Sequence, residues 1–507
     1  YPTPDEWLTT VEADTILAFF GYNESFDGFE GLDNFYAELD AFITHTANQS
    51  YNGKSAPRLI LVSPIAFENR SADYDLPDGK AENRRLAAYA ETMRQVALDR
   101  GIGFIDVFGP SQEWFRYSKE ALTINGFLLN DRGNQLLAEE LIAALLGERE
   151  SKTLSKTPRE KVYEAVQAKN WYWYNDYRML NDVHVHGRRH KPYGDVNYPE
   201  EIEKLREMTV LRDARIHSLA QGKERDLIID DRKTRGLVDV KTNYTLPIKF
   251  LDDVAALDQF SIADGYHIAQ FASESDFPDL KNPVQMAFDN KGRLWVSVMP
   301  SYPHWRPGDP LPNDKILIFE DTNNDGVADK QIIFADGLHL PMGFEIAAEG
   351  VYVTQEPNLV LLIDDDGDDH ADRTEILVAG FDSADTHHAI SAYAADPSGA
   401  IYMCEGRFLH SQVETPYGPE RMTDGGAWRF DPYSWKLERF MQTDVSNPWG
   451  IAYDEWGQNF LADASGGSNW WSLPLSAKVP HGYEIAKVDE FTTHRVRPTS
   501  GAEFIYS

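Results

Sequence analysis

The chain of 507 residues has one cysteine, Cys404, so it can form no internal disulfide. It has no Cys-x-x-Cys-His segment with which to attach a c-type haem. It has no uninterrupted apolar run of ~20 residues, the length a membrane-crossing helix needs. It shows no secretory leader pattern. It opens at Tyr1 inside what reads as a domain, so an upstream segment is expected. Positive charge is scarce: 48 Lys and Arg stand against 82 Asp and Glu, a net charge of −34. A polyanion of that size repels phosphate backbones, which argues against nucleic acid as a partner. The scarcity of cysteine suits either a cytoplasmic protein or a Gram-negative periplasmic one. What is present reads as globular, with 42% hydrophobic and 12% aromatic residues. At ~150 residues per domain the length predicts about three domains.

Residues 1–147 read as α/β. The short apolar runs Thr15–Phe20, Arg58–Ser63 and Gly103–Val107 suit buried parallel strands. Helical patterns follow at about 32–48, 80–100 and 132–147, and the alternation predicts a partial, doubly wound, flavodoxin-like sheet. Residues 148–240 are richer in Lys, Arg and helix formers, and predict a helical connector with helices near 158–170 and 199–222. Its aromatic stripe, Trp171 to Tyr177, reads as packing. Residues 241–507 turn strand-rich and repeat. Asn282-Pro-Val-Gln-Met-Ala-Phe-Asp-Asn-Lys-Gly292 opens one unit, and copies begin near Leu340, Ala389 and Asn447. Their turn glycines, 292, 350, 399 and 457, are 58, 49 and 58 residues apart. Two apolar strands around a tight Gly turn at this period predict the inner hairpins of β-propeller blades. At least four blades are visible, and further blades are expected beyond Ser507.

Two loops carry oxygen ligands at spacings a hard cation needs. Asp321, Asn323, Asp325 and Asp329 occupy positions 1, 3, 5 and 9 of the first, with Gly326 at position 6. Asp364, Asp366, Asp368 and Asp372 do the same in the second, where Asp369 replaces the glycine. Calcium of structural role is the expectation for both; an Asx-rich hairpin tip without metal is the alternative. A functional face is expected where the inner strands begin, because residues there converge from every blade. These are Asn282, His339, His387, His388 and Asn447, with Glu405, Arg407 and His410 just beyond an inner hairpin. Asp463 and the arginines Arg495 and Arg497 extend the candidate set, the arginines suiting a carboxylate-bearing ligand. On an extended strand His387 and His388 would point to opposite sides, so one of them is expected to serve the site.

Asn125 and Leu128, in Leu122-Thr-Ile-Asn125-Gly126-Phe127-Leu128-Leu129-Asn130, stand where an SGNH/GDSL-type hydrolase has its catalytic Asp and His. The first domain resembles that fold, and Gly21-Tyr22-Asn23 is similar to its oxyanion-hole segment. Leucine cannot take a proton from a nucleophile, so hydrolysis is not expected and Asn23 is left as a ligand-binding candidate. Beyond this domain, the succession Arg188-Arg189, Asp385-Thr-His-His388, His410-Ser-Gln-Val-Glu-Thr-Pro-Tyr-Gly418, Ala462-Asp-Ala-Ser-Gly-Gly467 and Arg495-Val-Arg-Pro-Thr-Ser-Gly501 resembles the large PVC-type haem-binding, membrane-bound-dehydrogenase-like proteins of Planctomycetes and Verrucomicrobia. That resemblance implies a propeller similar to glucose/sorbosone dehydrogenases. It also implies a periplasmic or extracellular location and a downstream cytochrome domain carrying haem c and accepting electrons. In such a propeller pyrroloquinoline quinone, calcium and a His base would oxidise a sugar or related alcohol. His387 or His388 would be the base, with Arg495 and Arg497 as anion-binding groups. Trp449 in Asn447-Pro-Trp449-Gly departs from their Asn-Pro-Gln-Gly, which puts quinone binding in doubt. The alternative is a non-catalytic propeller that binds a glycan or a protein partner.

Overall fold

The computed structural model describes residues 1–147, 156–223, 228–244, 247, 250–443, 445–472, 477, 488–492, 494–495 and 501–504. Strands β1 (Thr15–Phe19), β2 (Arg58–Val62) and β3 (Gly103–Ile105) form one parallel sheet in chain order. Helices α1 (Pro4–Thr10), α2 (Leu32–Ala47), α3 (Lys80–Arg100), α4 (Phe108–Tyr117) and α5 (Asp131–Leu146) surround it. Strand periodicity decides which helix covers which face. Leu59 and Leu61 share a core with Phe35, Leu39 and Ile43 of α2 and Met93 and Val96 of α3. Ile60 and Val62 point the other way, to Leu137, Leu141 and Leu145 of α5. Both faces are covered, as the unbroken apolar run of β2 requires.

The connector contains α6 (Lys156–Tyr177) and α7 (Asp195–Ala220), which pack along each other. The aromatic stripe at the end of α6 is packing, as expected: Trp171 and Tyr172 meet Trp305, and Trp173 stacks on Tyr177. No described helix is long and apolar enough to cross a membrane. Between α7 and the first propeller strand the described chain is irregular except for short turns and α8 (Asp253–Leu257). Regular strand structure therefore begins at Pro283, some way after the expected boundary at 241. The intervening apolar residues are spaced by charge and glycine without a two-residue period.

Among the described residues four antiparallel sheets of three or four strands follow, with one separate two-stranded hairpin. The first is β4 (Pro283–Phe288), β5 (Leu294–Val298), β6 (Asp314–Glu320) and β7 (Lys330–Leu338). The second is β8 (Phe344–Ala347), β9 (Gly350–Gln355), β10 (Asn358–Ile363) and β11 (Arg373–Ala379). In the third, β12 (Ser391–Ala395) and β13 (Ile401–Glu405) pair with β16 (Gly426–Asp431) and β17 (Lys436–Gln442), and an extra hairpin of β14 (His410–Val413) and β15 (Glu420–Thr423) is inserted. The fourth is β18 (Pro448–Tyr453), β19 (Asn459–Asp463) and β20 (Ser468–Trp471), with Trp471 and Phe491 extending the pairing to the segment 488–492. The repeated Asp-x-x-Gly turns share one device. Asp289, Asp396 and Asp454 each accept backbone N–H groups across the turn, and Gly292, Gly399 and Gly457 take the left-handed conformation (φ 78, 87 and 80) that closes it.

The first strand of each sheet lies against the next: β4 on β8, β8 on β12, β12 on β18. Val284 of β4, Met342 just before β8, Ala389 just before β12 and Trp449 of β18 meet in a single apolar cluster. The sheets are thus blades about a shared axis in a four-bladed, propeller-like arrangement, as the repeat predicts.

Candidate functional site

Asn181 organises the end of the axis where the inner strands begin. It adopts a left-handed backbone (φ 61), which Asn tolerates better than most residues, and is 4% exposed. Its Oδ1 accepts from the N–H and the hydroxyl of Thr386, both at 2.9 Å, and its Nδ2 donates to the Pro303 carbonyl at 3.1 Å. Its own N–H donates to Ser383, and the Val183 N–H to Ala384. One side chain thus ties the connector to the loop after β5 and to the turn Thr386–His388. Beside it, Leu180 enters the apolar cluster shared by the four blades. Gly194 lets the connector fold back on itself, since a Cβ there would lie 1.9 Å from the His184 carbonyl oxygen.

The histidine pair sits on a 3-10 turn and not on an extended strand. The alternation that would send the two rings apart does not operate; their centroids are 5.2 Å apart and both face one cluster. His388 is buried, with Nδ1 3.0 Å from Asp385 Oδ2, close enough to pair electrostatically but not aligned as a hydrogen bond. Arg189 donates to the same oxygen at 3.0 Å. Burial opposes the charge on Asp385, yet His388 and then Arg189 hold its carboxyl below the usual range. The guanidinium groups of Arg188 and Arg189 lie 3.7 and 4.8 Å from the Phe408 ring centroid. His387 is half-buried. Its Nδ1 is 3.0 Å from the Tyr302 hydroxyl, and its ring lies 5.8 Å from Trp449. Burial, and then the neighbouring His388, lower its pKa, so the imidazole is neutral at pH 7.

The other candidates lie elsewhere. His339 accepts from the Trp305 N–H at 3.3 Å against Trp171, and burial pushes its pKa down to about 4. It fastens blade to connector. Asn282 closes its own hairpin on the Met299 carbonyl. Asn447 and Asp463 close theirs, the Asn447 N–H donating to Asp463 at 2.9 Å. Glu405 is in the core, holding Ser411 and Trp428. His410 is exposed on the inserted hairpin, and the Arg407 N–H meets the Ser446 carbonyl. Arg495 pairs with Glu490 past the outer edge of the fourth sheet, and Arg497 lies outside the described residues. Hairpin closure accounts for Asn282, Asn447 and Asp463: a polar residue at the end of an inner strand can cap its own hairpin instead of facing the axis.

Asn23 is occupied by the protein itself. Its amide donates to Glu414 on the inserted hairpin at 2.7 Å, and the Tyr22 hydroxyl donates to the Thr415 carbonyl at 2.8 Å. Tyr22 also stacks on Phe127 (4.4 Å, 12°). Asn125 accepts from the Leu128 N–H at 3.1 Å, a turn cap where a hydrolase would orient a base. Residues that the candidate set missed are Arg189, Tyr302, Asp385 and Phe408. For Arg189 and Asp385 the signal was the cluster of His and Arg in the connector at 184–190, set against the polar turn Asp385-Thr-His-His388; Tyr302 and Phe408 carried none.

Of the two Asp-rich loops, only the second brings carboxylates together. Ligand oxygens of Asp364, Asp366 and Asp372 lie within 4.8 Å of one another. Asp368 accepts from the His370 N–H, and Asp369, left-handed at φ 66, grips Arg293 through two bonds of 2.7 and 2.9 Å. In the first loop Asp321, Asn323 and Asp325 accept backbone N–H groups, and both oxygens of Asp329 turn to the Thr322 hydroxyl. That is an Asx-stabilised tip.

A family described as a domain of unknown function (DUF7133) matches residues 253–500, a stretch that contains all four sheets. No curated protein matches the chain. Solved structures that share part of its fold include an α/β hydrolase enzyme from the metagenome of Lake Arreo, Spain (21% identity, 28% of this chain and 63% of that one, TM-score 0.22). An acetylxylan esterase from Geobacillus stearothermophilus matches at 18% identity over 27% of this chain and 61% of that one, TM-score 0.21. A lipase/acylhydrolase from Enterococcus faecalis matches at 17% identity over 28% and 65%, TM-score 0.21. The chain spans less than two thirds of the length of each.

Proposed function

We propose that the propeller mouth around His387 recognises a hydroxyl-bearing small molecule of the carbohydrate class, and that the chain is an exported binding module. The observation that carries this reading is the neutral, half-buried His387 set between Trp449 and Tyr302. An aromatic face suits the C–H side of a sugar ring, and the imidazole and phenol suit its hydroxyls. With Nδ1–H donating to Tyr302, Nε2 keeps a lone pair that can accept from a ligand hydroxyl or take its proton.

The likeness to PVC-type dehydrogenase-like proteins supports a second reading, in which that proton transfer belongs to alcohol oxidation and the electrons pass to a haem domain. The residues at the mouth do not fit a planar quinone. Leu180, Met342 and Trp449 pack together on the axis, where such a ring would lie. No oxidation step is therefore drawn through a quinone. We further propose calcium for the Asp364 loop alone, in a structural role, on the strength of its three convergent carboxylates.

The test is calorimetric titration of the full chain with a panel of monosaccharides and disaccharides, repeated on His387→Ala and Trp449→Ala. Binding weakened about tenfold or more in both variants is the expected result. Retained affinity in both overturns the reading. Dye reduction that needs added pyrroloquinoline quinone, calcium and a sugar would restore the oxidative reading in its place.

A further inference from the structure

Away from the mouth, a second cleft of about 560 Å³ opens where the α/β domain meets the second and third blades. Its volume is within the ~300–1,000 Å³ range of small-molecule sites, which favour seams between domains. The seam is fixed on both sides. The Asp75 N–H donates to the Tyr433 carbonyl at 3.2 Å, and the Tyr417 hydroxyl reaches the carbonyls of Asp75 and Ser434 at 3.0 and 2.9 Å. Tyr74 meets Trp435 edge-on at 5.4 Å.

Trp435 bears two local costs at once. It holds a left-handed backbone (φ 56), which a bulky side chain rarely adopts, and its indole N–H is buried without an acceptor. Such costs persist where the surroundings over-determine them, and they gather at ligand sites. Tyr433, two residues earlier, is 69% exposed at the lip. Glu349, Arg373 and Glu375 line the wall from the second blade. Glu375 and Asp365 hold the Arg373 guanidinium, and Glu349 accepts from Tyr352, so these groups are pre-oriented.

We infer that this cleft binds one or two rings of a neutral oligosaccharide, independently of the mouth. Tyr433 and Tyr74 offer faces for the apolar side of a sugar ring. The carboxylates of Glu349 and Glu375 present acceptors to ligand hydroxyls, beside an Arg373 guanidinium that Asp365 and Glu375 hold in place. The lining excludes acidic sugars, because Glu349, Glu375, Asp73 and Asp431 outnumber the one arginine. A simple ammonium is the poorer fit, because Arg373 stands in the wall it would face.

The full chain is titrated by ligand-observed NMR with cellobiose, xylobiose and chitobiose, with digalacturonate and tetramethylammonium as controls. In the full chain carrying His387→Ala and Trp449→Ala, which silences the mouth, at least one neutral disaccharide still binds at ~1 mM or below, and adding Tyr433→Ala or Glu375→Gln weakens it about tenfold. Both cleft positions are half- or fully exposed, so neither substitution threatens folding. The inference is overturned if no neutral disaccharide binds, if only a control ligand binds, or if binding survives both cleft substitutions. It is also overturned if the parent chain binds a neutral disaccharide and the chain carrying His387→Ala and Trp449→Ala binds none, which would place the sugar at the mouth and leave the mouth reading standing.

Discussion

Glu405 offers a quantitative test of how the third blade is held. The side chain ends β13 at 1% exposure. Its Oε2 accepts from the Ser411 hydroxyl at 2.7 Å and Trp428 Nε1 at 2.9 Å, while Oε1 has no partner. Burial pushes its pKa up to about 8, against the two donors that favour the anion. In the unfolded chain a glutamate titrates near 4.3. Folding therefore takes up a proton above that pH. Stability from this group is fully present below about pH 4.3 and is lost as the pH rises through about 8. Between pH 5 and pH 8, at ~1.4 kcal/mol per unit, the loss is about 4 kcal/mol. Glu405→Gln keeps the acceptor oxygen and cannot ionise. Its NH2 takes the place of unpartnered Oε1, which costs ~1 kcal/mol. The variant should be ~1 kcal/mol less stable than the parent near pH 5 and ~3 kcal/mol more stable at pH 8. Urea unfolding at pH 5, 6.5 and 8, followed by tryptophan emission, reads this crossing. Parallel pH dependences in the two proteins would refute the argument that Glu405 folds as the neutral acid.

Three further outcomes are expected. Asn181→Ala removes the acceptor shared by Thr386 N–H and hydroxyl and should destabilise the folded chain by about 3 kcal/mol in the same urea assay, with sugar binding at the mouth weakened in parallel. Arg293→Ala leaves the buried side chain of Asp289 without its cation and Asp369 with only Lys291 at 4.0 Å, and should lower stability by ~3 kcal/mol, with unchanged stability counting against a link between the first two blades. Terbium luminescence should report an ion at the Asp364 loop that calcium displaces and Asp366→Asn with Asp372→Asn removes, whereas Asp321→Asn in the first loop should leave the signal intact.

The inserted hairpin gives the α/β domain a mechanical role. Glu414 and Thr415 engage Asn23 and Tyr22, and Phe26 lies under Gly418, where a Cβ would come within 3.1 Å of its ring. The Gly21-Tyr22-Asn23 segment is thereby docked on the hairpin inserted in the third blade.

The sequence alone determined the elements. Unbroken apolar runs marked β1 to β3 and the four Asp-or-Ala-x-x-Gly turns marked the inner hairpins, because periodicity and turn chemistry are local properties. Which polar residues share a site was decided only by tertiary structure. Asn282, Asn447 and Asp463 spend their hydrogen bonds closing their own hairpins, and Arg495 spends its charge on Glu490. Arg189 and Tyr302 reach the histidine turn and its own Asp385 from two distant segments that Asn181 brings together. The two Asp loops, nearly equal by spacing, part in the same way, because Arg293 from another blade takes Asp369 and three carboxylates of its loop converge beside it. A residue's type fixes which partners it can take, and the packing of blade on blade and connector on mouth fixes which partner is within reach.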